Sequence, residues 1–287
     1  MSPTFVTRFA PSPTGRLHLG HAFAGLTAYR ATQEAHGRFL LRIEDIDTVR
    51  CRDEFVDDIF EDLAWLGLEW EIPVRRQSEH FGDYEAAIVR LDRLGVIYPC
   101  ICTRKEIAAE IARSASAPHG PDGPLYPGTC KRRGRKAVAA AVAAGKPHAL
   151  RLDLARAVAM LEDRDNWPLE FEESGGGLRR AQPELLGDVI LARKDVPTSY
   201  HLSVTVDDAL QGITHVIRGE DLAHATHVHR VLQALLELPV PVYRHHRLIT
   251  TADGRRLAKR DHAQTLQALR QSGVSPAELR RRLLSCE

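Results

Sequence analysis

Short apolar runs alternate with longer stretches of helical periodicity over the N-terminal part of the chain. Residues 5–9 form an apolar run typical of a buried strand. Apolar positions then recur at helical spacing over about 20–36, and Gly37 follows at a position favoured for a helix C-cap. The next run, FLLRIEDID at 39–47, is mostly apolar and predicts a central parallel strand. This alternation of strand and helix predicts an α/β fold.

The rest of the chain adds further periodic segments. Apolar stripes at 55–66 and 84–94 predict two amphipathic helices, and 136–144 is helical in pattern but low in complexity. Farther on, apolar and polar residues alternate over 202–206, and a second β-rich run follows at 213–217. These two runs predict two strands that bracket a turn.

Composition suggests where the chain divides into domains. The region after residue 102 is rich in Ala, Arg, Pro and Gly, and it contains the flexible SGGG at 174–177. We therefore predict that 100–185 is a subdomain inserted into a nucleotide-binding core and facing an RNA. The two halves of the catalytic core would be 1–99 and 186–261, followed by a short helical segment at 262–287.

Overall composition excludes several classes of protein. Hydrophobic residues make up 44% of the 287-residue chain and charged residues 27%, as in ordinary globular proteins. The net charge is only +1, so RNA contacts must come from local basic clusters at 131–136, 179–180, 255–256 and 280–282. No run reaches the ~18 apolar residues of a membrane span, and no signal-peptide core is present. We therefore expect a cytoplasmic protein without a membrane partner.

Two histidines, His18 and His21, lie where the first predicted helix begins. Free backbone N–H groups and the positive end of the helix dipole bind anions at such a terminus, above all phosphates. Gly20, between the histidines, has no side chain, so a ring or a sugar can approach the backbone closely. These residues predict a site for a phosphate-bearing ligand.

Charged residues stand close to the ends of predicted strands. Glu44, Asp45 and Asp47 follow the apolar part of the second strand, where open α/β sheets bind ligands, although acidic residues there can equally cap a helix or face solvent. Arg8 and Arg218 each offer a planar guanidinium suited to a carboxylate. A lone arginine in a strand is usually part of a surface ion pair. Because both stand beside motif residues, we interpret them as ligand-binding.

Three cysteines, Cys100, Cys102 and Cys130, form the pattern of an incomplete zinc site, which normally has four ligands. Five cysteines in a reducing compartment do not indicate a disulfide framework. From the residues alone, metal binding and plain burial of three thiols both remain open. His119 is the conventional choice for a fourth ligand.

The segment RFAPSPTGRLHLGH at 8–21 resembles the HIGH signature of class I aminoacyl-tRNA synthetases, and in particular their glutamyl and glutaminyl branch. Segments resembling the same branch recur at 41–47 (LRIEDID), 206–222 (VDDALQGITHVIRGEDL) and 254–261 (GRRLAKRD). The last is similar to the KMSKS loop, with Lys259 as its second lysine. Ala258 stands where serine is usual, and 227–230 departs from the usual TPRQ.

The resemblance implies a Rossmann-like parallel-sheet core and a ligase that uses ATP with Mg²⁺ to activate L-glutamate. In that reaction a carboxylate attacks the α-phosphate and expels pyrophosphate, so positioning and charge neutralisation carry the rate. The implied catalytic residues are His18, His21 and Lys259. The implied ATP contacts are His18, Gly20, His21 and Lys259. The implied glutamate contacts are Arg8, Ser12, Glu44, Tyr200 and Arg218, with Glu44 on the amino group.

The resemblance also supplies a fourth metal ligand. Short glutamyl-synthetase-like proteins carry Cys-x-Cys followed by Tyr-x-x-x-Cys, with the phenol oxygen as an unusual ligand. Tyr126 stands four residues before Cys130, which matches that pattern. One structural Zn²⁺ per chain is therefore implied, held by Cys100, Cys102, Tyr126 and Cys130, with His119 as the alternative to the tyrosine.

The accepting molecule is indicated only by the family. The 287-residue chain ends 26 residues after Asp261, whereas full glutamyl-tRNA synthetases continue into helical anticodon-binding domains. The pattern resembles a family of short enzymes that form glutamyl-adenylate without tRNA and transfer glutamate to queuosine in the anticodon stem-loop of tRNA(Asp). We expect that function, in a monomer.

Three alternatives remain. The first is a shortened glutamyl-tRNA synthetase that charges a tRNA 3′ end. The second is a nucleotidyltransferase with an HxGH motif, a class that lacks the other three segments. The third is a catalytically inactive RNA-binding module, which would not need His18, His21 and Lys259 together. A P-loop ATPase is excluded because GxxxxGK[ST] does not occur in the sequence.

Overall fold

The computed structural model describes residues 4–113, 119–121, 123–249 and 265–285. Strands in these residues are short and spread along the chain. They are β1 (Val6–Phe9), β2 (Arg38–Ile43), β3 (Glu71–Arg76), β4 (Ile97–Cys100), β5 (His119–Gly120), β6 (Gly123–Pro124), β7 (Ala149–Leu152), β8 (Glu170–Glu173), β9 (Gly177–Arg180), β10 (Ile190–Ala192), β11 (His215–Gly219) and β12 (Val242–His246).

Helices connect most of these strands. They are α1 (Leu19–Glu34), α2 (Asp53–Trp65), α3 (Phe81–Arg93), α4 (Arg104–Arg113), α5 (Thr129–Arg132), α6 (Arg135–Ala143), α7 (Leu154–Asp163), α8 (Tyr200–Leu210), α9 (Ala225–Leu236), α10 (Leu266–Gln271) and α11 (Pro276–Leu284). Single 3₁₀ turns lie at Gln77–Glu79, Pro183–Leu185 and Glu220–Leu222. No helix in the described ranges is both long enough and apolar enough to cross a membrane.

Parallel pairing dominates the centre of the molecule. β2 pairs in parallel with β1 on one side and β3 on the other, and β11 pairs in parallel with β12. β1 and β11 lie edge to edge, because the Thr214 N–H donates to the Val6 carbonyl at 3.0 Å and the Thr7 hydroxyl donates to the His215 carbonyl at 2.7 Å. The resulting strand order is β3-β2-β1-β11-β12. The predicted parallel-sheet α/β fold is confirmed.

Helices cover both faces of this sheet. On one face α1, α2 and the C-terminal helices pack against Leu41 and Ile43, and on the other α3, α8 and α9 pack against Val6 and Leu40. Because neighbouring residues of β2 belong to opposite cores, the strand is buried at every position after Arg38, and all of these except Arg42 are apolar.

Smaller sheets complete the described fold. β4, β7 and β10 form an antiparallel sheet with β7 in the middle, and β5 pairs with β6. β8 pairs with β12 of the large sheet, and β9 pairs antiparallel with β8 at the edge. Residues 170–180, which the sequence places in the insertion, thus extend the sheet that carries β11.

The predicted strand at 202–206 is wrong, because these residues lie in helix α8. Every residue from Leu202 to Asp208 is buried, so the helix has no polar side to produce a 3.6-residue period, and its alternating β-branched residues imitate a strand. The start at Ser199 and the left-handed Gly212 beyond the last turn were the available indications of a helix. The neighbouring prediction is confirmed, since 213–217 includes most of β11.

The other predicted helices are confirmed, but the end of α1 differs in detail. The predicted cap, Gly37, is not the left-handed residue there; His36 is, with a φ of 48°. Gly37 is required for a different reason, since a Cβ on it would overlap the carbonyl oxygen of Phe5. The glycine therefore lets the chain enter β2 close beside β1.

Candidate active site and thiol cluster

A cavity of about 410 Å³ opens at the carboxyl ends of β1 and β11. The connections from these neighbouring strands pass to opposite faces of the sheet, which is the switch point where open α/β sheets bind ligands. The cavity brings together seven of the residues predicted from the sequence: Arg8, His18, Gly20, His21, Glu44, Tyr200 and Arg218. It is also lined by Asp221, His246 and Arg247, which the sequence reasoning missed.

His18 and His21 cap the start of α1 reciprocally. Nδ1 of His18 accepts a hydrogen bond from the Gly20 N–H, and Nδ1 of His21 accepts one from the His18 N–H, both at 3.1 Å. The two rings lie 3.8 Å apart between centroids. Because both Nδ1 atoms accept, each neutral ring carries its proton on Nε2. The pair can therefore offer two N–H donors at a helix N-terminus.

The glycine between them is required by the same geometry. A Cβ on Gly20 would lie 3.0 Å from Cε1 and 3.1 Å from Nδ1 of His18. An alanine at this position would therefore require the His18 ring to shift by a few tenths of an ångström. The glycine lets the ring lie close against the start of the helix.

Arg8 and Arg42 share a buried carboxylate. Asp208 accepts from Nε of Arg8 at 2.8 Å and Nη2 at 3.2 Å, and it accepts from Nη1 of Arg42 at 2.8 Å. Nη2 of Arg42 also donates to Glu44 at 3.2 Å. Burial opposes ionisation of Asp208, but the two arginines outweigh it and lower its pKa. Likewise, burial opposes the charge on Arg42, but Asp208, Glu44 and Asp207 raise its pKa further.

Asp207, the neighbouring residue on α8, holds the adjacent elements together. Its carboxylate accepts from Nε of Arg75 at 2.8 Å, from the amide of Gln77 at 2.7 Å and from the hydroxyl of Tyr84 at 3.0 Å. Its side chain is fully buried. Two consecutive aspartates thus connect α8 to β1, β2, β3 and α3. Neither was predicted from the sequence, because the two aspartates fell in the turn expected after a strand at 202–206.

Arg218 is buried among neutral partners. Nη2 donates to the Thr226 hydroxyl at 2.7 Å, Nε donates to Nε2 of His245 at 3.2 Å, and Nη1 lies 3.4 Å from both the Tyr200 hydroxyl and Nδ1 of His229. Within the described ranges no carboxylate forms an ion pair with Arg218, which is only 6% exposed. Its positive charge is therefore uncompensated at short range.

The two histidines and the tyrosine around Arg218 have pKa values shifted towards their uncharged forms. Burial, followed by the charge of Arg218, lowers the pKa of His229 well below its usual value and lowers that of His245 as well. Burial raises the pKa of the Tyr200 phenol, against the effect of Arg218. Burial also raises the pKa of Glu44, against the effect of Arg42 and Arg8.

The cavity lining lacks one predicted site residue, Ser12, and the structure does not describe another, Lys259. Ser12 is not among its lining residues, and its hydroxyl lies 3.9 Å from the sulfur of Cys51. Lys259 and Ala258 lie outside the described residues. The described chain reaches the site on both sides of that gap, because Ile249 lines the cavity and Thr265 forms a bridge with His18.

The three predicted cysteines come together at the end of β4. The sulfurs of Cys100, Cys102 and Cys130 all lie within 4.8 Å of one another and are buried, so the cluster can hold a metal ion. The Tyr126 hydroxyl lies 3.3 Å from the sulfur of Cys100 and 3.6 Å from that of Cys102, and it accepts the backbone N–H of Cys130 at 2.9 Å. The side chain of His119 lies outside the described part of the chain.

The thiols differ in their ionisation. Burial opposes the ionisation of Cys100, but its hydrogen bonds with Tyr126 and Arg151 lower the pKa of that thiol. Burial raises the pKa of Cys102 to about 11. Arg151 itself stacks on Tyr126, with its guanidinium carbon 3.7 Å from the ring centroid. Arg151 was not predicted from the sequence, because a single arginine in a short strand belongs to no recognisable motif.

The family follows from comparison with known proteins. Residues 4–285 match the family model of the catalytic domain of class I tRNA synthetases for glutamate and glutamine (E and Q). The chain belongs to this family of enzymes, whose members are ligases.

The relatives indicate a narrower group. The chain is 49% identical to a protein from Rhodobacter capsulatus named glutamyl-Q tRNA(Asp) synthetase, over 96% of this chain and 98% of the relative. It is 38% identical to glutamate–tRNA ligase 2 of Nitrosococcus oceani, over 95% of this chain but 57% of that one. The crystal structure of the glutamate–tRNA synthetase of Elizabethkingia anophelis superposes with a TM-score of 0.73 at 26% identity. The match covers 90% of this chain and only about half, 53%, of that chain.

Proposed function

We propose that the protein activates L-glutamate with ATP to form glutamyl-adenylate without tRNA, and then transfers glutamate to queuosine in the anticodon stem-loop of tRNA(Asp). The observation that carries the first step is Arg218, a buried cation that forms no ion pair with any described residue and lies in the same cavity as His18 and His21. The acceptor is supported by the name of the Rhodobacter capsulatus relative, which is similar to this chain over nearly its whole length.

Glutamate fits the charges of the cavity. Arg218 and the Tyr200 hydroxyl beside it would bind a carboxylate, and Glu44 would accept hydrogen bonds from the substrate ammonium group. Arg8 is held by Asp208 through Nε and Nη2, which leaves Nη1 for a second carboxylate. Ser12 stays a predicted contact of this substrate.

The phosphates of ATP would lie at the start of α1. Nε2–H of His18 and of His21, with the N-terminus of the helix, would donate to phosphate oxygens as negative charge moves onto pyrophosphate. Lys259 would add a cation from the segment between Ile249 and Thr265. Mg²⁺ bound with ATP would supply further neutralisation of the phosphates. The carboxylate oxygen forms a bond to the α-phosphorus while the bond to the pyrophosphate oxygen breaks.

We also propose that the thiol cluster is a structural zinc centre with Cys100, Cys102, Cys130 and Tyr126 as ligands. Tetrahedral zinc with Zn–S bonds of ~2.3 Å separates its sulfurs by ~3.8 Å. The distance of 3.3 Å between the sulfurs of Cys102 and Cys130 is compatible with that geometry after a small adjustment. Zinc there would join residues 100–102 to residues 126–130 within the proposed insertion, 100–185. Elemental analysis should find one zinc per chain, and zinc-free native protein would refute the centre.

Activation is tested by pyrophosphate exchange. With glutamate and no tRNA, the purified protein should exchange labelled pyrophosphate into ATP. His21→Ala should slow exchange ~10²-fold or more, because a well-placed transition-state donor is lost. Exchange that requires tRNA would instead favour a glutamyl-tRNA synthetase. Similarity to the Nitrosococcus oceani ligase supports that alternative function.

The acceptor is tested by locating labelled glutamate on tRNA. Charging should require tRNA(Asp) that contains queuosine and should fail with the same tRNA lacking it. Nuclease mapping should recover the label in the anticodon loop and not on the terminal adenosine. Label on the 3′ adenosine would refute the proposed acceptor while leaving the activation step intact.

A further inference from the structure

Glu173, the last residue of β8, contacts His245 of β12 through both of its carboxylate oxygens. Oε1 accepts the backbone N–H of His245 at 2.9 Å, and Oε2 lies 2.8 Å from Nδ1 of the ring. The two side chains are only 11% and 8% exposed. Neither residue lines the cavity that contains Arg218. Glu173 therefore reaches that cavity through the imidazole of His245 and not by direct contact.

Two donors converge on the opposite nitrogen of the same ring. Nε of Arg218 donates to Nε2 of His245 at 3.2 Å, and the Thr226 hydroxyl lies 3.3 Å from that nitrogen. The hydroxyl oxygen already accepts from Nη2 of Arg218 at 2.7 Å, so its own proton is available for Nε2. Nε2 must therefore be the unprotonated nitrogen of the ring.

The carboxylate of Glu173 specifies the same tautomer from the other side. An ionised carboxylate can only accept hydrogen bonds, so Nδ1 of His245 must carry the proton of the ring. Burial, followed by the charge of Arg218, lowers the pKa of His245, which favours a neutral ring with a single proton. One proton on Nδ1 satisfies every contact of this imidazole described above.

We propose that Glu173 is a positioning residue for Arg218, because it fixes the tautomer of His245 that accepts from the guanidinium. This inference rests on the proposed function, in which Arg218 binds a carboxylate of glutamate. Without Glu173 the proton could move to Nε2, and an N–H group would then face the N–H of Arg218. The guanidinium would lose an acceptor that holds its plane. Residues of the proposed insertion thus orient a residue of the glutamate site.

The charge of Glu173 acts in the opposite direction to its hydrogen bond. A negative charge one imidazole away from Arg218 weakens the attraction of the guanidinium for a substrate carboxylate. Loss of that charge alone should lower the KM for glutamate, whereas loss of the tautomer should raise it. The sign of the change therefore distinguishes the positioning role from a through-space effect.

Pyrophosphate exchange with Glu173→Gln tests the proposal. A glutamine amide has one accepting and one donating side, so it cannot replace both carboxylate oxygens that face His245. The KM for glutamate should rise ~10-fold, while kcat and the KM for ATP change little, because the ground state and the transition state lose the same contact. Glu172→Gln removes the same charge from the exposed neighbouring position of β8, and this matched control should leave all three constants unchanged.

The tautomer itself is visible by NMR of protein labelled with ¹⁵N-histidine. The His245 signals, identified by their absence from His245→Gln, should show the proton on Nδ1 in the unchanged protein and a shift towards Nε2 in Glu173→Gln. A KM for glutamate that stays the same or falls would overturn the inference, as would an unchanged tautomer or a loss confined to kcat. In those cases activation of glutamate by the unchanged protein would stand. If the unchanged protein shows no exchange that depends on glutamate, the proposed function and this inference fail together.

Discussion

Arg42 and Arg218 are both arginines of the parallel sheet, 0% and 6% exposed, but their surroundings are opposite. Arg42, on β2, has Asp208 at 2.8 Å, Glu44 at 3.2 Å and Asp207 at 3.8 Å. Arg218, on β11, contacts a hydroxyl, a phenol and two imidazoles. The first guanidinium is neutralised by the fold itself. The second carries a charge that a bound anion would neutralise.

The difference arises from the helices that meet each strand. α8 brings two consecutive aspartates to β2, whereas α9 brings Thr226 and His229 to β11. Glu173 lies on the far side of His245, whose Nδ1 donates to it at 2.8 Å while Nε2 accepts from Arg218 at 3.2 Å. An acid in direct contact would compete with a substrate carboxylate. Neutral hydrogen-bond acceptors orient the guanidinium without cancelling its charge.

The largest expected effect on stability comes from Arg42. Arg42→Met should lower the free energy of unfolding by about 3–5 kcal/mol, because Glu44 loses its arginine partner and Asp208 loses one of its two inside a buried site. Urea denaturation measures the loss. If Arg42→Met is as stable as the unchanged protein, the view that Arg42 is neutralised for stability is wrong.

The matched change at Arg218 should act on activity and not on stability. Arg218→Met should reduce kcat/KM for glutamate ~10²–10³-fold, because a buried charge-assisted contact is lost. Its unfolding free energy should stay the same or rise, because an unpaired buried charge is removed. Pyrophosphate exchange and urea denaturation of the same preparation provide both values. If Arg218→Met loses as much stability as Arg42→Met, the conclusion that Arg218 serves binding and Arg42 serves stability is wrong.

Asp62, on α2, is a buried acid without a close partner among the described residues, in contrast to Asp208, which two arginines pair. Its buried carboxylate has no hydrogen-bond partner in the described chain, and the nearest cation, Arg270, lies 3.6 Å away. Burial, aided by the charges of Asp58 and Glu61 and opposed by Arg270 and Arg16, raises the pKa of Asp62 to about 6. The folded protein therefore holds this proton more tightly than the unfolded chain.

Stability from Asp62 should be greatest below about pH 4 and should be lost as the pH rises through about 6. Asp62→Asn should remove that part of the pH dependence and stabilise the protein by about 1–2 kcal/mol at neutral pH. Urea denaturation across this pH range compares the two proteins. Parallel profiles would show that Asp62 titrates like an exposed aspartate.

The smallest effect is expected at the surface. Arg30 and Glu34 form an ion pair one helical turn apart on α1, with 46% and 60% of their side chains exposed. Arg30→Ala should change the unfolding free energy by no more than about 0.5 kcal/mol, since solvent screens exposed pairs. Urea denaturation measures this change and provides the reference for the substitutions of buried arginines. A loss near 3 kcal/mol for Arg30→Ala would mean that burial does not explain the larger effect expected at Arg42.

The sequence predicts the β1–α1–β2 unit well because its local patterns agree with the fold. Apolar periodicity, proline breaks and the HLGH motif all lie within one short stretch. The partners of its buried arginines do not follow from such patterns, since Asp208 is 166 residues from Arg42 and 200 from Arg8. A buried helix such as α8 also hides its period, so Asp207 and Asp208 were missed together with the helix.

The thiol cluster shows a similar limit. The spacing of the cysteines and Tyr126 led to the cluster, because the ligand atoms themselves stand in a recognisable pattern. Arg151 has no such pattern around it. Its contact with the Tyr126 ring joins β7 to the segment between β6 and α5, two parts of the chain that no local pattern relates.

The caps formed by His18 and His21 at the start of α1 couple the effects of substitutions at the two positions. Each ring caps a different backbone N–H group, and the two rings lie 3.8 Å apart between centroids, so replacing either histidine removes one cap and the ring that packs against the other. The effects of the two substitutions should therefore be epistatic, with the second costing much less than the first.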